Sequence, residues 1–257
     1  KPGSKVYAVN KNKNVILFRI GSKPLTSGMR ILGAHIDSPR LDVKQNPLYQ
    51  KSDFALLDTH YYGGIKKYQW VTIPLALHGV ICKKDGTTEV VNIGESDKDP
   101  VFGIGDLLPH LAADQITKPA TKVIEGEDLD VTVGSIPLKE KDKFSVKANI
   151  LNILKKKYNM EEEDFVSSEI EIVPAGKARS YGLDSSMVAS YGQDDRVCAY
   201  TSLKAILDVE NPEFTSCCIL VDKEEIGSVG ATGAQSLFFE NTIARLLNKM
   251  ESNSFLD

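Results

Sequence analysis

The chain has 257 residues, 42% of them hydrophobic, enough to bury one large core or two smaller ones. A formal charge of −4 and a pI near 5.7 give no broad electrostatic reason to bind nucleic acid or an anionic membrane. No apolar run approaches the roughly 20 residues that span a bilayer, and the basic opening KPGSKVYAVNKNKN lacks the apolar segment of a secretory signal.

NVILFRIG (14–21) and RILGAHID (30–37) read as short apolar strands, the second ending in a polar cluster. QNPLYQ and the glycines of YYGGI break the pattern. WVTIPLALHGVICK (70–83) reads as one or two strands, and Asp85-Gly86 signals a hairpin into TTEVVNIG. LLPHLAADQ (107–115) predicts a short helix behind Pro109. From Thr117 to Lys147 the composition is polar, charged and punctuated by Gly and Pro, which predicts a surface excursion.

KANILNILKKKYNM (147–160) predicts an amphipathic helix, and SEIEIVPAG a strand that stops at Pro174. The strongest helix signal is DDRVCAYTSLKAILDV (194–209). Val197, Tyr200, Leu203, Ala205, Ile206 and Leu207 lie on or near one face, and Asp194 and Asp195 stand at its positive end. TSCCILVD reads as a buried strand and SLFFENTIARLLNKM as a final helix. Strands alternating with helices at both ends imply an α/β fold, a mixed sheet flanked by helices. The strand-rich middle implies an insertion with its own core. Residues 1–40 and 175–257 are therefore expected to form one discontinuous domain, and residues 41–174 the inserted one. Cys82, Cys198, Cys217 and Cys218 do not make a disulfide framework, and the expectation is reduced, buried thiols in a cytoplasmic protein.

Three polar clusters share one placement, each following an apolar strand or opening a helix: AHIDS (34–38), GQDDR (192–196) and DKEEIGS (222–228). Ligands of open α/β sheets bind at the carboxyl ends of strands, so such clusters converge although distant in sequence. One histidine with several carboxylates is a donor set for zinc, or for the harder manganese and cobalt. An imidazole ligand needs its second nitrogen held by an acceptor, and Asp37, two residues beyond His35, falls on the same side of an extended strand. Asp194 is a candidate bridge between two ions. Neighbours in an extended chain point opposite ways, so Glu224 and Glu225 divide into a proton acceptor and a metal ligand. Taken singly, each cluster has a plainer reading: a hydrogen-bonded histidine, a helix cap, a solvated loop. Their joint placement favours a site. No Ser/His/Asp arrangement, paired CxxC or phosphate-cradling loop competes with it, and Gly103-Ile104-Gly105 is too short for a dinucleotide fingerprint.

GAHIDSPRLDVKQNPLY, DTHYYGGIKKYQW, GQDDRVCAY and VDKEEIGSVGATG together resemble the aspartyl aminopeptidase (aminopeptidase I) family of dinuclear metallopeptidases, through nearly the whole chain. The resemblance implies that His35 and Glu225 bind metal, that Asp37 supports His35, and that Asp194 bridges two divalent ions ahead of a cis peptide bond to Asp195. It makes Glu224 the general base that acts on metal-activated water. Zinc is the first expectation for the metal, with manganese or cobalt as alternatives. The implied substrates are peptides, from which N-terminal residues, acidic ones foremost, are removed. The inserted domain would mediate dimers that assemble into dodecamers, with His110 reaching a neighbouring subunit's site. Family members are longer and carry a further aspartate and a late histidine as ligands. Only Glu240, Glu251 and Asp257 follow Glu225 among the carboxylates here, and no histidine does. The expectation is thus a chain truncated at both ends. The competing readings are an inactive scaffold or cargo protein that keeps the fold, and another dinuclear amide hydrolase.

Overall fold

The structure is a computed structural model, which describes residues 1–139 and 144–252. In chain order its strands and helices are β1 (Lys5–Asn10), β2 (Asn14–Arg19), β3 (Met29–His35), β4 (Arg40–Lys51), β5 (Phe54–Tyr62), α1 (Lys67–Trp70), β6 (Leu75–Cys82), β7 (Thr88–Ile93), β8 (Gly103–Ile104) and β9 (Val131–Gly134). They continue with α2 (Ser145–Tyr158), β10 (Ser168–Pro174), β11 (Arg179–Tyr181), β12 (Met187–Ala189), α3 (Gln193–Asp208), β13 (Thr215–Val221) and α4 (Phe238–Ser252). The chain divides into two compact units, Lys1–Ser38 with Gly192–Asp257, and Pro39–Tyr191.

The first unit is built on a mixed sheet in the order β1-β2-β13-β3, in which only β13 and β3 run parallel. From Cys217 to Val221 β13 is apolar on both sides because both faces of this sheet are covered. With a side-chain period of two, Cys217 joins Ile16, Phe18 and Ile20 beneath α4 residues Phe238, Ile243 and Leu246. Cys218 and Leu220 point the other way and join Ala34 beneath Ala199 and Ile206 of α3. Of the apolar face expected for α3, Ile206 packs, but the stripe as a whole is not the buried one. Val197 and Tyr200 are 58% and 63% exposed, while Ala199, Ser202 and Ile206 are buried. Small residues at that spacing let the helix lie close to the sheet, and hydrophobicity alone selects the wrong stripe.

The second unit holds an antiparallel seven-stranded sheet in the order β7-β6-β10-β4-β5-β9-β8, with α2 laying Ile150, Leu151 and Leu154 on its core. Asp85-Gly86 does turn the chain from β6 into β7, with Gly86 at φ +84° and the Asp85 carboxylate accepting the Thr87 N–H. Three expectations differ. QNPLYQ does not end a strand: β4 runs through it, absorbing buried Pro47 in a register shift between Val43 and Leu48. LLPHLAADQ yields only a 3-10 turn, Pro109–Leu111, with Leu107, Leu108 and Leu111 exposed. The 117–147 stretch is less of an excursion than its composition suggests, since Ile124, Leu129 and Val131 are buried in the core and β9 joins the sheet. Sparse apolar residues there carry no period to read, and only the sheet gives them a partner.

The unit boundaries fall after Ser38 and Tyr191, where the sequence placed them after residues 40 and 174. The β11–β12 hairpin thus groups with the inserted strands. Tyr191 closes that unit by donating from its hydroxyl to the Pro39 carbonyl at 2.7 Å.

All four cysteines are free; Cys217 and Cys218 are buried as expected, but Cys82 and Cys198 are exposed. Burial pushes the Cys217 thiol up to about 12, with Cys218 beside it adding to the shift. Only thiolate is nucleophilic. Iodoacetamide at pH 8 is therefore expected to leave Cys217 and Cys218 unmodified in the native protein and to label both in guanidinium. Peptide mapping checks this, and native labelling of either residue would contradict the packing of β13.

Candidate metal centre

Parallel pairing of β3 with β13 sets the site. His35 lies opposite Val221, and the Ile36 N–H extends the ladder to the Val221 carbonyl at 2.8 Å. AHIDS and DKEEIGS therefore leave the sheet side by side at the carboxyl ends of parallel strands. The third segment comes from the start of α3, which packs on the same strands. Asp194 and Asp195 have non-helical backbone angles, so the regular helix begins after them, and their peptide bond is cis. Ser38, inside the first cluster but not singled out by sequence, donates its hydroxyl to the Asp194 carbonyl at 3.3 Å. Gly192 has φ +73°, and a Cβ there would meet Ser38 Oγ at 3.0 Å.

The paired glutamates do not sit on an extended strand. Lys223 adopts a left-handed conformation (φ +70°), Glu224–Ile226 form a 3-10 turn, and Gly227 follows at φ +90°. Strand alternation therefore does not separate the two carboxylates. One ligand atom from each of His35, Glu224 and Glu225 lies within 4.8 Å of the others, a group that includes the expected base and omits Asp194. Asp194 is nonetheless present, with Oδ1 3.1 Å from His35 Nε2, while Glu224 Oε2 is 3.9 Å from the same nitrogen.

Asp37 supports His35 in a way the spacing did not suggest. Its backbone carbonyl, 2.9 Å from Nδ1, is the acceptor for the imidazole, and its carboxylate stands off at 3.5 Å. That carboxylate is buried and turns to the glutamates, accepting the Glu224 N–H at 3.1 Å and the Glu225 N–H at 3.2 Å. One residue thus holds the imidazole with its main chain and the glutamate turn with its side chain.

Burial alone lowers the pKa of His35. The Asp37 carbonyl, the Asp194 carboxylate and the charges of Asp37 and Glu224 outweigh it and hold the imidazole above its usual value. Burial pushes the Glu225 carboxyl up; His35 opposes the shift, and Asp37, Glu224 and Asp194 add to it. Four carboxyl groups around one imidazole carry an excess of negative charge, and a divalent cation relieves it. With Nδ1 committed to the Asp37 carbonyl, Nε2 faces Asp194 and Glu224 as the nitrogen free to coordinate. The donor set therefore fits zinc, manganese or cobalt. His110, by contrast, is exposed on the Pro109–Leu111 turn of the inserted unit.

Residues 1–257 match the model of the family described as aminopeptidase I zinc metalloprotease (M18). A probable M18 family aminopeptidase 1 of Clostridium acetobutylicum is 64% identical over 249 residues, which cover 96% of this chain and 54% of that protein. The crystal structure of aminopeptidase I from Clostridium acetobutylicum superposes with a TM-score of 0.90 at 63% identity, covering 97% of this chain and 55% of that one. An M18 family aminopeptidase from Thermotoga maritima gives 0.93 at 48% identity, again over 97% of this chain and 55% of that one. The chain thus spans about half the length of the relatives it matches.

Proposed function

The chain belongs to the aminopeptidase I zinc metalloprotease family, and from that premise we propose a metal-dependent aminopeptidase that removes N-terminal residues, acidic ones by preference, from peptides. The observation that carries this reading is the meeting of His35, Glu224 and Glu225 donor atoms within 4.8 Å of one another, with Asp194 on His35 Nε2. His35, Glu225 and Asp194 would hold the divalent metal, zinc foremost, with two ions as the family resemblance implies. Bound there, the metal supplies a Lewis acid that activates water and steadies an oxyanion.

Glu224 takes the proton from the attacking water and returns it to the leaving amine. Its side chain is 54% exposed, against 10% for His35, which suits a group that must meet substrate. Asp37 holds the turn on which Glu224 stands. The inserted unit is assigned to dimer formation within a larger homo-oligomer, a dodecamer assembled from dimers, with His110 reaching a neighbouring subunit. No described helix is long and apolar enough to cross a membrane, and a cytoplasmic location is part of the proposal.

Peptides beginning with aspartate, glutamate or leucine, incubated with the full-length protein, test the reading. The expected result is release of the first residue, fastest for the acidic peptides, abolished by chelator and restored by zinc. Cleavage that survives chelation would sink the proposal. Purified full-length protein without bound metal would favour a scaffold that has kept only the fold.

A further inference from the structure

Beyond β13 the chain makes a glycine-rich loop, and that loop carries both glutamates. Its outgoing arm holds the Glu224–Ile226 turn. Ser228 N–H closes that turn on the Lys223 carbonyl at 2.7 Å, and from the returning arm Gln235 Nε2 donates to the Gly227 carbonyl at 3.0 Å. The arms lie so close that a Cβ on Gly233 would meet the Ser228 carbonyl oxygen at 2.1 Å.

At the base of the loop a buried polar cluster ties two residues of the VDKEEIGSVGATG stretch to a distant strand. Asp222, Thr232 and Asn14 are 6%, 6% and 3% exposed. The Thr232 hydroxyl donates to Asp222 Oδ2 at 2.7 Å. The Thr232 carbonyl accepts the Asn14 Nδ2–H at 3.0 Å and the Asp222 backbone N–H at 3.3 Å. Outside this cluster, half-buried Asn10 donates to the Ala231 carbonyl at 2.9 Å. Asn14 opens β2, so the loop is tied to the sheet on the side away from β3.

We propose that Thr232, gripped by Asp222 and Asn14, is a positioning residue that sets where Glu224 and Glu225 stand; the proposal rests on the peptidase reading. A hydrogen bond to a buried carboxylate is charge-assisted and strong; without the Thr232 hydroxyl, Asp222 Oδ2 keeps the Lys223 Nζ charge at 3.7 Å but loses its short hydrogen bond. Asp222 is two residues from Glu224, and only Lys223 stands between it and the turn. A shift of Asp222 is therefore passed to the glutamates. Asp37 holds the turn from the β3 side, and Thr232 fixes it from the β2 side.

The test uses Thr232→Val, which keeps the branched shape and removes the hydroxyl, and Thr232→Ser, which keeps the hydroxyl. In the full-length protein the valine variant is expected to lose about 10- to 100-fold in kcat with KM little changed. In the metal-free protein its Glu224 and Glu225 amides are expected to exchange about tenfold faster. The serine variant is expected to restore both readouts. Wild-type exchange and kcat in the valine variant, or a serine variant as impaired as valine, overturns the proposal. Should the valine variant fail to fold, Asn14→Ala removes the amide that donates to the Thr232 carbonyl. Faster exchange at Glu224 and Glu225 in that variant, with Tm unchanged, supports the clasp, and unchanged exchange overturns it. Metal content of the wild type and the activity of Glu224→Gln judge the peptidase reading separately, since metal-free amide exchange reads the loop alone.

Discussion

Glu224→Gln is expected to lower kcat by about a thousandfold, the middle of the range for losing a general base, while zinc binding stays close to wild type. Glutamine keeps the size of the side chain and an oxygen toward His35, so the local packing and the two backbone bonds to Asp37 have no reason to change. It cannot accept a proton. The geometry makes this the discriminating substitution, because Glu224 Oε2 lies 3.9 Å from His35 Nε2 and belongs to the same close trio as Glu225. Kinetics with an aspartyl peptide and metal analysis on the same preparation separate the roles. Lost metal with lost activity makes Glu224 a ligand, and retained kcat removes it from the reaction.

Asp37→Asn carries the second large effect, a fall of about 10- to 100-fold in activity or metal affinity, as for other groups that orient a ligand from behind. The aspartate carboxylate accepts two N–H groups, one on each oxygen, at 3.1 and 3.2 Å. An asparagine offers one oxygen and turns an NH₂ toward the other donor. One amide of the glutamate turn is left without its acceptor in a buried place, at about 1–3 kcal/mol. The imidazole bond to the Asp37 carbonyl is main-chain and survives. Hydrogen exchange is therefore expected to rise at Glu224 or Glu225, while the ¹⁵N shift of His35 Nδ1 stays near the wild-type value. A changed His35 resonance with unchanged exchange would return Asp37 to the role that its spacing suggests, as a direct partner of the ring.

Both predictions depend on contacts that differ from those read along the chain. Spacing on an extended strand put the Asp37 carboxylate beside His35, and alternation put Glu224 and Glu225 on opposite sides. Each inference took local backbone geometry to continue beyond the strand. In fact β3 ends at His35 and β13 at Val221, and a left-handed Lys223 turns the chain at once. Lysine in that conformation has no sequence signature, whereas Gly227 does. Thr232 and Asn14 were invisible for a different reason. Neither is an unusual residue, and their partnership spans more than two hundred positions of the sequence.

What the sequence alone determined was the chemistry and the ordering of parts: one histidine, two acidic pairs and the apolar strands that deliver them, with a strand-rich insertion between the two halves of the sheet domain. Those features are local, written in residue type and in periods of two or near four, so they survive without a partner in space. The tertiary structure decided which face of α3 is buried, that β4 passes through Pro47, and which acceptor of Asp37 meets which donor. Such choices depend on what each segment packs against. The parallel register of β3 and β13, and the loop that returns to Asn14, exist only once residues far apart in the chain are hydrogen-bonded to each other.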